Sequence, residues 1–265
     1  MKKFVAGGCS FTFGNELSDD VGGRRTSKKS WSHLYWQGHD VKTDYHCVAW
    51  PGSGNSGIAR RVFDAVTTHD VDSVVVMWTF TSRYDWAMPR HQTLEETRWA
   101  TISPWDTDLG DEERHKALSG SEVQRQQWAI REAEAEQTGV KPFANSLYKH
   151  AANQYHELYL SWKSIVWLQN LLEKKSIPYA FTLADNTLFY QDQTHHKHTD
   201  RLLSHLHDEI NLSNWFFFGE RCMGFNQWAL LNDYERGSTH PLDKAHADAI
   251  MLIKPEFDKI IGGQR

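Results

Sequence analysis

Four short runs of consecutive apolar residues, rich in β-branched side chains, are spread along the chain. They are KKFVAGG at the N-terminus, DYHCVAW at 44–50, DSVVVMWTF at 72–80 and IPYAFTLA at 177–184. Apolar runs without polar alternation are typical of strands that are covered on both faces, as in a parallel sheet. The pattern therefore predicts four buried strands.

Apolar residues at helical spacing separate these strands. Ile58, Val62 and Val66 recur every four positions and predict an amphipathic helix between the second and third strands. A stripe after Pro142 holds one face for roughly 30 residues and predicts one long helix, and another stripe predicts a last helix after Pro241. The long stripe is Leu147, Ala151, Tyr155, Leu158, Trp162, Ile165 and Leu172, and the last is Leu242, Ala249, Ile253, Phe257 and Ile260. This alternation predicts an α/β fold, with helices on both faces of an open sheet.

Residues 86–141 interrupt the alternation. They are rich in Trp, Arg, Glu and Gln, and they contain one clear helical stretch, near 121–137. We predict a single domain over 1–265 with an insertion or lid at about 86–141. Such an insertion above the carboxyl edge of a sheet is either a substrate-binding element or a solvated surface loop.

Composition limits the classes of partner. The formal net charge is −5, with 34 acidic and 29 basic residues, so bulk charge does not favour nucleic-acid binding. No apolar run approaches the roughly 18 residues of a membrane span, and the N-terminal run is too short for a signal peptide. We expect a cytoplasmic protein without a membrane partner, whose Cys9, Cys47 and Cys222 are reduced and buried. The oligomeric state is left open.

The stretch FVAGGCSFTFG, residues 4–14, places Ser10 directly after the first predicted strand. In an open α/β sheet, ligands bind at the carboxyl ends of the strands. A serine in a tight turn presents its hydroxyl and its own N–H to a carbonyl carbon. The alternative is a strand-ending turn with local hydrogen bonds. The stretch matches neither phosphate-binding glycine pattern, so nucleotide binding is not favoured.

Two histidines near the C-terminus have different expected roles. His240 directly precedes Pro241 and the last predicted helix, so its imidazole is expected in a loop, where it could accept a proton from a serine. His246 falls on the apolar stripe of that helix and is expected to be a structural residue of the core.

The segment THHKHTDRLLSHLHDE, residues 194–209, is rich in potential metal ligands. They are His195, His196, His198, His205, His207, Asp200 and Asp208. Their spacing matches no known ligand pattern. A solvated polar helix is the favoured interpretation, and a metal-dependent hydrolase is the alternative.

Four blocks in order resemble those of the SGNH (GDSL-like) hydrolase superfamily. They are Gly8-Cys9-Ser10, PGSGNSG after the second strand, MWTFTSR after the third and THPLDKAH before the last helix. The first block is similar to the G-C-S-F-T block of a phage-associated branch. The resemblance implies a flavodoxin-like three-layer α/β/α fold. It also implies hydrolysis of an acyl ester on a carbohydrate or other small molecule, without a metal or cofactor.

The resemblance also implies roles for particular residues. Ser10 resembles the nucleophile, with its N–H as one oxyanion donor, and Gly54 resembles the glycine whose N–H is a second donor. His240 resembles the general base. An acyltransferase would use the same residues, and a non-catalytic binding or assembly protein could be built on the same fold.

The third block departs from the family pattern, because it lacks the asparagine that completes the oxyanion hole. The hydroxyls of Thr79 and Thr81 are the candidate replacements, and Asn55 is an outside candidate. Loss of one such donor costs about 3 kcal/mol of transition-state stabilisation. A third donor is therefore needed for full activity.

The fourth block also departs from the pattern. The family has an aspartate three residues before the histidine, and this chain has Gly237 there. Asp233 or Glu235 could reach the imidazole of His240, or a backbone carbonyl could orient it. Without any such group, a catalytic histidine can lose roughly four orders of magnitude in rate.

A basic loop, GGRRTSKKS at 22–30, lies near the predicted site. It is either a solvated loop or a surface that meets an anionic substrate.

Overall fold

The computed structural model describes residues 1–39, 42–88, 99–189 and 201–265. Its strands are β1 (Lys3–Gly7), β2 (Asp44–Cys47), β3 (Val71–Trp78), β4 (Tyr84–Ala87), β5 (Trp99–Ile102) and β6 (Tyr179–Leu183). The main sheet has the order β2-β1-β3-β6, and all of its strands are parallel. The four predicted strands are therefore confirmed. Strands β4 and β5 form a separate antiparallel pair.

Ten α-helices are present in the described residues, and some of them cover both faces of the main sheet. They are α1 (Ser10–Phe13), α2 (Trp31–Gln37), α3 (Asn55–Thr68), α4 (Asp111–Leu118), α5 (Glu122–Thr138), α6 (Val140–His150), α7 (Gln154–Lys174), α8 (Arg201–Asp208), α9 (Phe225–Leu231) and α10 (Asp243–Gly263). Helices α3 and α7 pack on one face, and α2 and α10 pack on the other. The predicted three-layer α/β/α architecture is confirmed.

The two cores follow from side-chain alternation along the strands. In β3, Val74 and Val76 face the α3–α7 layer. Val75 and Met77 face the α2–α10 layer. All four side chains are fully buried. Burial on both faces explains why this strand is continuously apolar in the sequence.

The prediction of one long helix after Pro142 is wrong, because the structure has two helices there. Helix α6 already contains Pro142 in its first turn, where proline is tolerated, and it ends at His150. Asn153 then caps α7 by accepting a hydrogen bond from the backbone N–H of His156. The apolar stripe keeps its spacing across the break, so periodicity alone did not reveal it.

The region between β3 and α7 has a small apolar core of its own. Tyr84, Ile102, Val140 and Ala144 are buried there, between the β4–β5 pair and the helices. Helix α5 confirms the helix predicted near 121–137, and α4 was not predicted, whereas α6 is the first part of the long helix predicted after Pro142. The sequence DEERHKAL of α4 has no apolar stripe, since its buried side chains include Arg114, which is ion-paired.

Within the described ranges, no helix is both long enough and apolar enough to cross a membrane. Cys9 is buried, as expected, whereas Cys47 and Cys222 are only half-buried.

Candidate active site

A tight turn at the end of β1 presents Ser10. Gly8 has a φ of 156°, and a Cβ at this position would lie 2.1 Å from Oγ1 of Thr12. Only glycine fits such a close approach. Cys9 then caps α1, and Ser10 is the first helical residue. The Gly8-Cys9 turn that ends β1 therefore places Ser10 at the carboxyl edge of the sheet.

The structure brings together Ser10 and His240 from opposite ends of the chain. Oγ of Ser10 lies 2.7 Å from Nε2 of His240. The ring of Phe11 packs edge-on against the imidazole, with 4.8 Å between ring centroids. His240 lies in the loop before α10, as the sequence predicts. A serine hydroxyl in contact with an imidazole nitrogen has a base for its proton.

Sequence reasoning missed Glu16, whose carboxylate contacts the other side of the imidazole. Oε2 of Glu16 lies 2.7 Å from Nδ1 of His240. The same oxygen accepts hydrogen bonds from the backbone N–H groups of Thr239, at 2.9 Å, and His240, at 3.0 Å. Oε1 accepts another from the N–H of Ser238 at 2.6 Å. The carboxylate therefore fixes both the ring and the loop that carries it.

The environment of Glu16 keeps it ionised. Burial alone would raise the pKa of this carboxyl group. The hydrogen bond and charge of His240, together with the N–H groups of Thr239 and Ser238, outweigh burial and lower the pKa to about 2. An ionised carboxylate at Nδ1 fixes the tautomer in which Nε2 is free to accept the serine proton.

The acid positions proposed from the sequence lie elsewhere. Asp233 and Glu235 are exposed, and in the described structure neither side chain bonds to His240. Gly237 lies where the resemblance led us to expect an aspartate, and a Cβ there would lie 2.8 Å from Oε1 of Glu16. The carboxylate of Glu16 thus fills the space that a side chain at 237 would need. Absence of a side chain at 237 was the one sequence signal that the acid comes from elsewhere.

The two residues whose N–H groups the sequence predicts as oxyanion donors both lie at the starts of helices. Ser10 begins α1, so its N–H has no partner within that helix. Gly54 caps α3, and a Cβ there would lie 2.3 Å from the carbonyl oxygen of Arg83, so only glycine fits. The loop before Gly54 is tied to the serine turn, because the N–H of Trp50 donates to the carbonyl of Gly8 at 3.1 Å.

Asn55 has a different role from the one considered in the sequence. Its amide nitrogen donates to the carbonyl of Thr79, at 3.1 Å, and to Oγ of Ser161, at 3.0 Å. Its Oδ1 accepts the N–H of Thr79 at 2.9 Å. Both amide hydrogens are engaged, so Asn55 joins the start of α3 to the end of β3 and has no donor left for an oxyanion.

The two threonines lie just after β3. The side chain of Thr79 is fully buried, and its Oγ1 has a long contact of 3.4 Å with Nη1 of Arg83. Thr81 is buried as well. Both lie at the carboxyl edge of the sheet, and no contact in the described structure singles out either as the third donor.

The remaining histidines of interest are separate from this site. His246 is buried in the core, as expected, and its Nδ1 accepts the backbone N–H of Trp31 at 3.1 Å. Burial, with the charge of His240, lowers the pKa of His246 to about 3.

Of the proposed metal ligands, His205, His207 and Asp208 are on α8. His195, His196, His198 and Asp200 lie outside the described residues. In the described ranges, no group of three or more ligating side chains could hold a metal ion.

Helix α5 of the insertion lies against two loops beside the site. A Cβ on Gly22 would lie 2.7 Å from Nε2 of Gln127, and one on Gly52 would lie 3.1 Å from Nη1 of Arg131. Gly22 is in the loop that follows Glu16, and Gly52 is in the loop that leads to Gly54. The insertion therefore borders the carboxyl edge of the sheet.

Neither a family model nor a curated protein sequence matches the chain. Among solved structures, it is similar to a psychrotrophic esterase from Pseudoalteromonas sp., with 11% identity and a TM-score of 0.47 over 99% of this chain and 98% of that chain. A member of the lipolytic G-D-S-L family from Veillonella parvula has 10% identity and a TM-score of 0.41 over 99% of both chains. An extracellular lipase from Streptomyces rimosus has 13% identity and a TM-score of 0.35 over 98% of this chain and 100% of that chain.

Proposed function

We propose that the chain is a serine esterase of the SGNH type, which hydrolyses an acyl ester on a carbohydrate or other small molecule. The observation that carries the proposal is the continuous contact from Ser10 through His240 to Glu16, with 2.7 Å at each step. Serine, imidazole and carboxylate in this order are the parts of a nucleophilic acyl-transfer centre.

The reaction would proceed in two halves. Oγ of Ser10 attacks the ester carbonyl while Nε2 of His240 takes its proton, and the N–H groups of Ser10 and Gly54 stabilise the oxyanion. Collapse of this intermediate breaks the ester C–O bond, and the imidazolium gives its proton to the leaving alcohol. A water molecule, deprotonated by the same imidazole, then releases the acid from Ser10. Glu16 stabilises the imidazolium in both halves.

An acyltransferase would differ only in the second half, where an alcohol would replace the water. The geometry is the same for both reactions, so the acceptor decides between them. A non-catalytic binding protein is less well supported, because a decayed site need not keep its serine within hydrogen-bond reach of its base. The distance of 2.7 Å between Ser10 and His240 is within that reach.

We further propose one domain over 1–265, with the insertion as a lid whose α5 borders the substrate. The contacts of Gln127 and Arg131 with the loops at Gly22 and Gly52 support this placement.

Hydrolysis of a panel of aryl and sugar acetates by the wild type and Ser10→Ala tests the esterase proposal. We expect a loss of roughly three or more orders of magnitude in kcat for Ser10→Ala. Ser119→Ala, at an exposed serine, is the matched control and should keep the wild-type rate. Equal rates for Ser10→Ala and the wild type would exclude the proposed nucleophile.

A further inference from the structure

Two arginines flank Gly54, the second candidate oxyanion donor. Side chains on a helix lean towards its N-terminus, and Nη1 of Arg61, on α3, donates to Oγ of Ser53 at 2.8 Å. Arg83 packs its backbone against Gly54 and directs Nη1 to Oγ1 of Thr79, at 3.4 Å. Both guanidinium groups are therefore held near the carboxyl edge of the sheet.

Arg61 forms no salt bridge with a carboxylate in the described part of the chain. The carboxylate of Asp85 is close, because a Cβ on Gly57 would lie 2.8 Å from its Oδ1 and 3.0 Å from Nη1 of Arg61. However, Arg60 already binds Asp85 in two places, at 2.7 and 3.0 Å. Burial lowers the pKa of Arg61 to about 10, with Asp85 opposing this change and the charge of Arg60 adding to it. A half-buried cation whose neighbouring carboxylate is already bound by another arginine is destabilised, and a bound anion would offset that cost.

Arg83 is similarly short of partners. It is half-buried, and its guanidinium lies over the ring of Phe80 at 4.6 Å from the centroid. A guanidinium has five N–H donors, and among the described residues its hydrogen bonding is limited to the long contact with Thr79. Phe80 packs against the apolar cluster that contains Phe11, the residue that touches His240.

An exposed aromatic ring beside Arg61 fits a flat, charged ligand. The indole of Trp50 is 53% exposed, and its centroid lies 6.0 Å from the guanidinium carbon of Arg61. Lys29, from the basic loop at 22–30, is instead paired with Asp243 at 2.6 Å. The arginines beside Gly54 are thus better placed than this lysine to meet an anion.

We propose that Arg61 and Arg83 bind a negatively charged group on the substrate, so that the preferred ester is acidic and carries a carboxylate or a phosphate. The inference rests on the proposed esterase function and names its substrate class. The planar guanidinium fork is suited to two-point binding of either anion.

Matched esters test the preference. Phenyl acetate is neutral, 4-acetoxybenzoate carries a carboxylate on the alcohol side, monophenyl succinate carries one on the acyl side, and 4-acetoxyphenyl phosphate carries a phosphate. We expect the wild type to favour at least one acidic ester over phenyl acetate by about tenfold or more in kcat/KM. Preference between 4-acetoxybenzoate and 4-acetoxyphenyl phosphate identifies the anion.

Charge-removing variants locate the preference. In Arg61→Gln and Arg83→Gln, the kcat/KM for the preferred acidic ester divided by the kcat/KM for phenyl acetate should fall about tenfold. Arg265→Gln removes the same charge at the opposite edge of the sheet, where Arg265 pairs with Asp72 at the start of β3, and should keep the ratio. A ratio that is unchanged in both site variants, or lowered equally in Arg265→Gln, would overturn the proposal.

Binding separates this proposal from the esterase function. The test uses Ser10→Ala protein and the uncleavable amides acetanilide, 4-acetamidobenzoate, N-phenylsuccinamate and 4-acetamidophenyl phosphate, measured by calorimetry. At least one acidic amide should bind more tightly than acetanilide and weaken about tenfold with Arg61→Gln. Equal binding of acidic and neutral amides would refute the arginine site. If the Ser10→Ala protein binds an acidic amide tightly but the wild type hydrolyses no ester, the arginine site is retained and the esterase function is refuted.

Discussion

At the scale of single residues, Glu16 is the least expected part of the site. Its φ of 68° is in a region that few side chains adopt, and such strain is often retained at functional sites. The carboxylate is held by three backbone N–H groups of the loop that carries His240. In the proposed mechanism, Glu16 orients the imidazole, the role for which the resemblance predicts an aspartate at position 237.

Glu16→Gln should therefore slow ester hydrolysis. The amide nearly preserves shape but cannot stabilise the imidazolium as a carboxylate does, and we expect kcat to fall by roughly 10²- to 10⁴-fold. KM should change little. Glu235→Gln is the control, because this exposed acid does not contact the imidazole. Similar losses in the two variants would contradict the assignment.

Exchange of the acid position is a stricter test of the same residues. Gly237→Asp alone should reduce activity, because its Cβ would lie 2.8 Å from Oε1 of Glu16 and the two carboxylates would repel each other. In Glu16→Gly the space is free, so Glu16→Gly/Gly237→Asp should be more active than Glu16→Gly by about tenfold or more. If kcat of the double variant does not exceed that of Glu16→Gly, the space taken by Glu16 does not explain why position 237 lacks an aspartate.

These residues also mark the limits of sequence reasoning at this scale. Ser10 and His240 could be predicted to lie together, because the block that contains Ser10 follows the first strand and the block that contains His240 precedes the last helix. Glu16 could not be predicted as a member of the site, because its contact with His240 spans 224 positions and no spacing rule links the two residues. The amide of Asn55 could not be assigned for the same reason, since its partners lie just after β3 and on α7.

At the scale of elements, the turns at the carboxyl edge of the sheet are tied to one another. Trp50 links the loop after β2 to the turn after β1. Asn55 links the start of α3 to the end of β3. These ties fix the N–H of Gly54 relative to the sheet, which a preorganised oxyanion donor requires.

Asn55→Ala should both destabilise the fold and slow the reaction. It removes three hydrogen bonds and leaves buried groups of Thr79 unpaired. We expect a loss of about 3 kcal/mol in the free energy of unfolding and a decrease of roughly 10²-fold in kcat. Ser56→Ala, which loses one contact with Ser164, should cost under about 1 kcal/mol. Unfolding in urea and steady-state kinetics measure both effects, and a wild-type kcat in Asn55→Ala would contradict the positioning role.

Element prediction succeeded where one physical signal dominates. Strands buried on both faces are continuously apolar, and α3 and α10 have clear apolar stripes. It failed at α4, whose buried Arg114 is stabilised by Asp111 and Glu132 rather than by apolar contacts. It also failed at the break between α6 and α7, where Asn153 starts a new helix without changing the apolar spacing.

At the scale of the whole molecule, two buried groups link folding to pH. The folded-state pKa of Glu16 is lowered to about 2, and that of His246 to about 3. For both groups the unfolded chain binds protons more readily, so their contributions are complete above the unfolded pKa and are lost as pH falls. The stability of the fold should therefore decrease from about pH 6.5 downward.

His246→Asn tests this linkage. The amide oxygen can still accept the N–H of Trp31, but the side chain no longer titrates. Between about pH 6.5 and 3, the variant should lose up to about 1.4 kcal/mol less stability per pH unit than the wild type. Urea unfolding at several pH values gives both slopes, and identical slopes would mean that His246 does not remain neutral in the fold.

The central claim is that Ser10, His240 and Glu16 act as one nucleophilic centre, and active-site labelling tests it most directly. The rate of covalent labelling by a fluorophosphonate is measured for the wild type, His240→Ala and Glu16→Gln, with mass spectrometry to locate the adduct. The account predicts an adduct on Ser10 that is absent in Ser10→Ala and forms at least about a hundredfold more slowly in His240→Ala and Glu16→Gln. A folded wild-type protein that forms no adduct on Ser10, or variants that label at the wild-type rate, would contradict it.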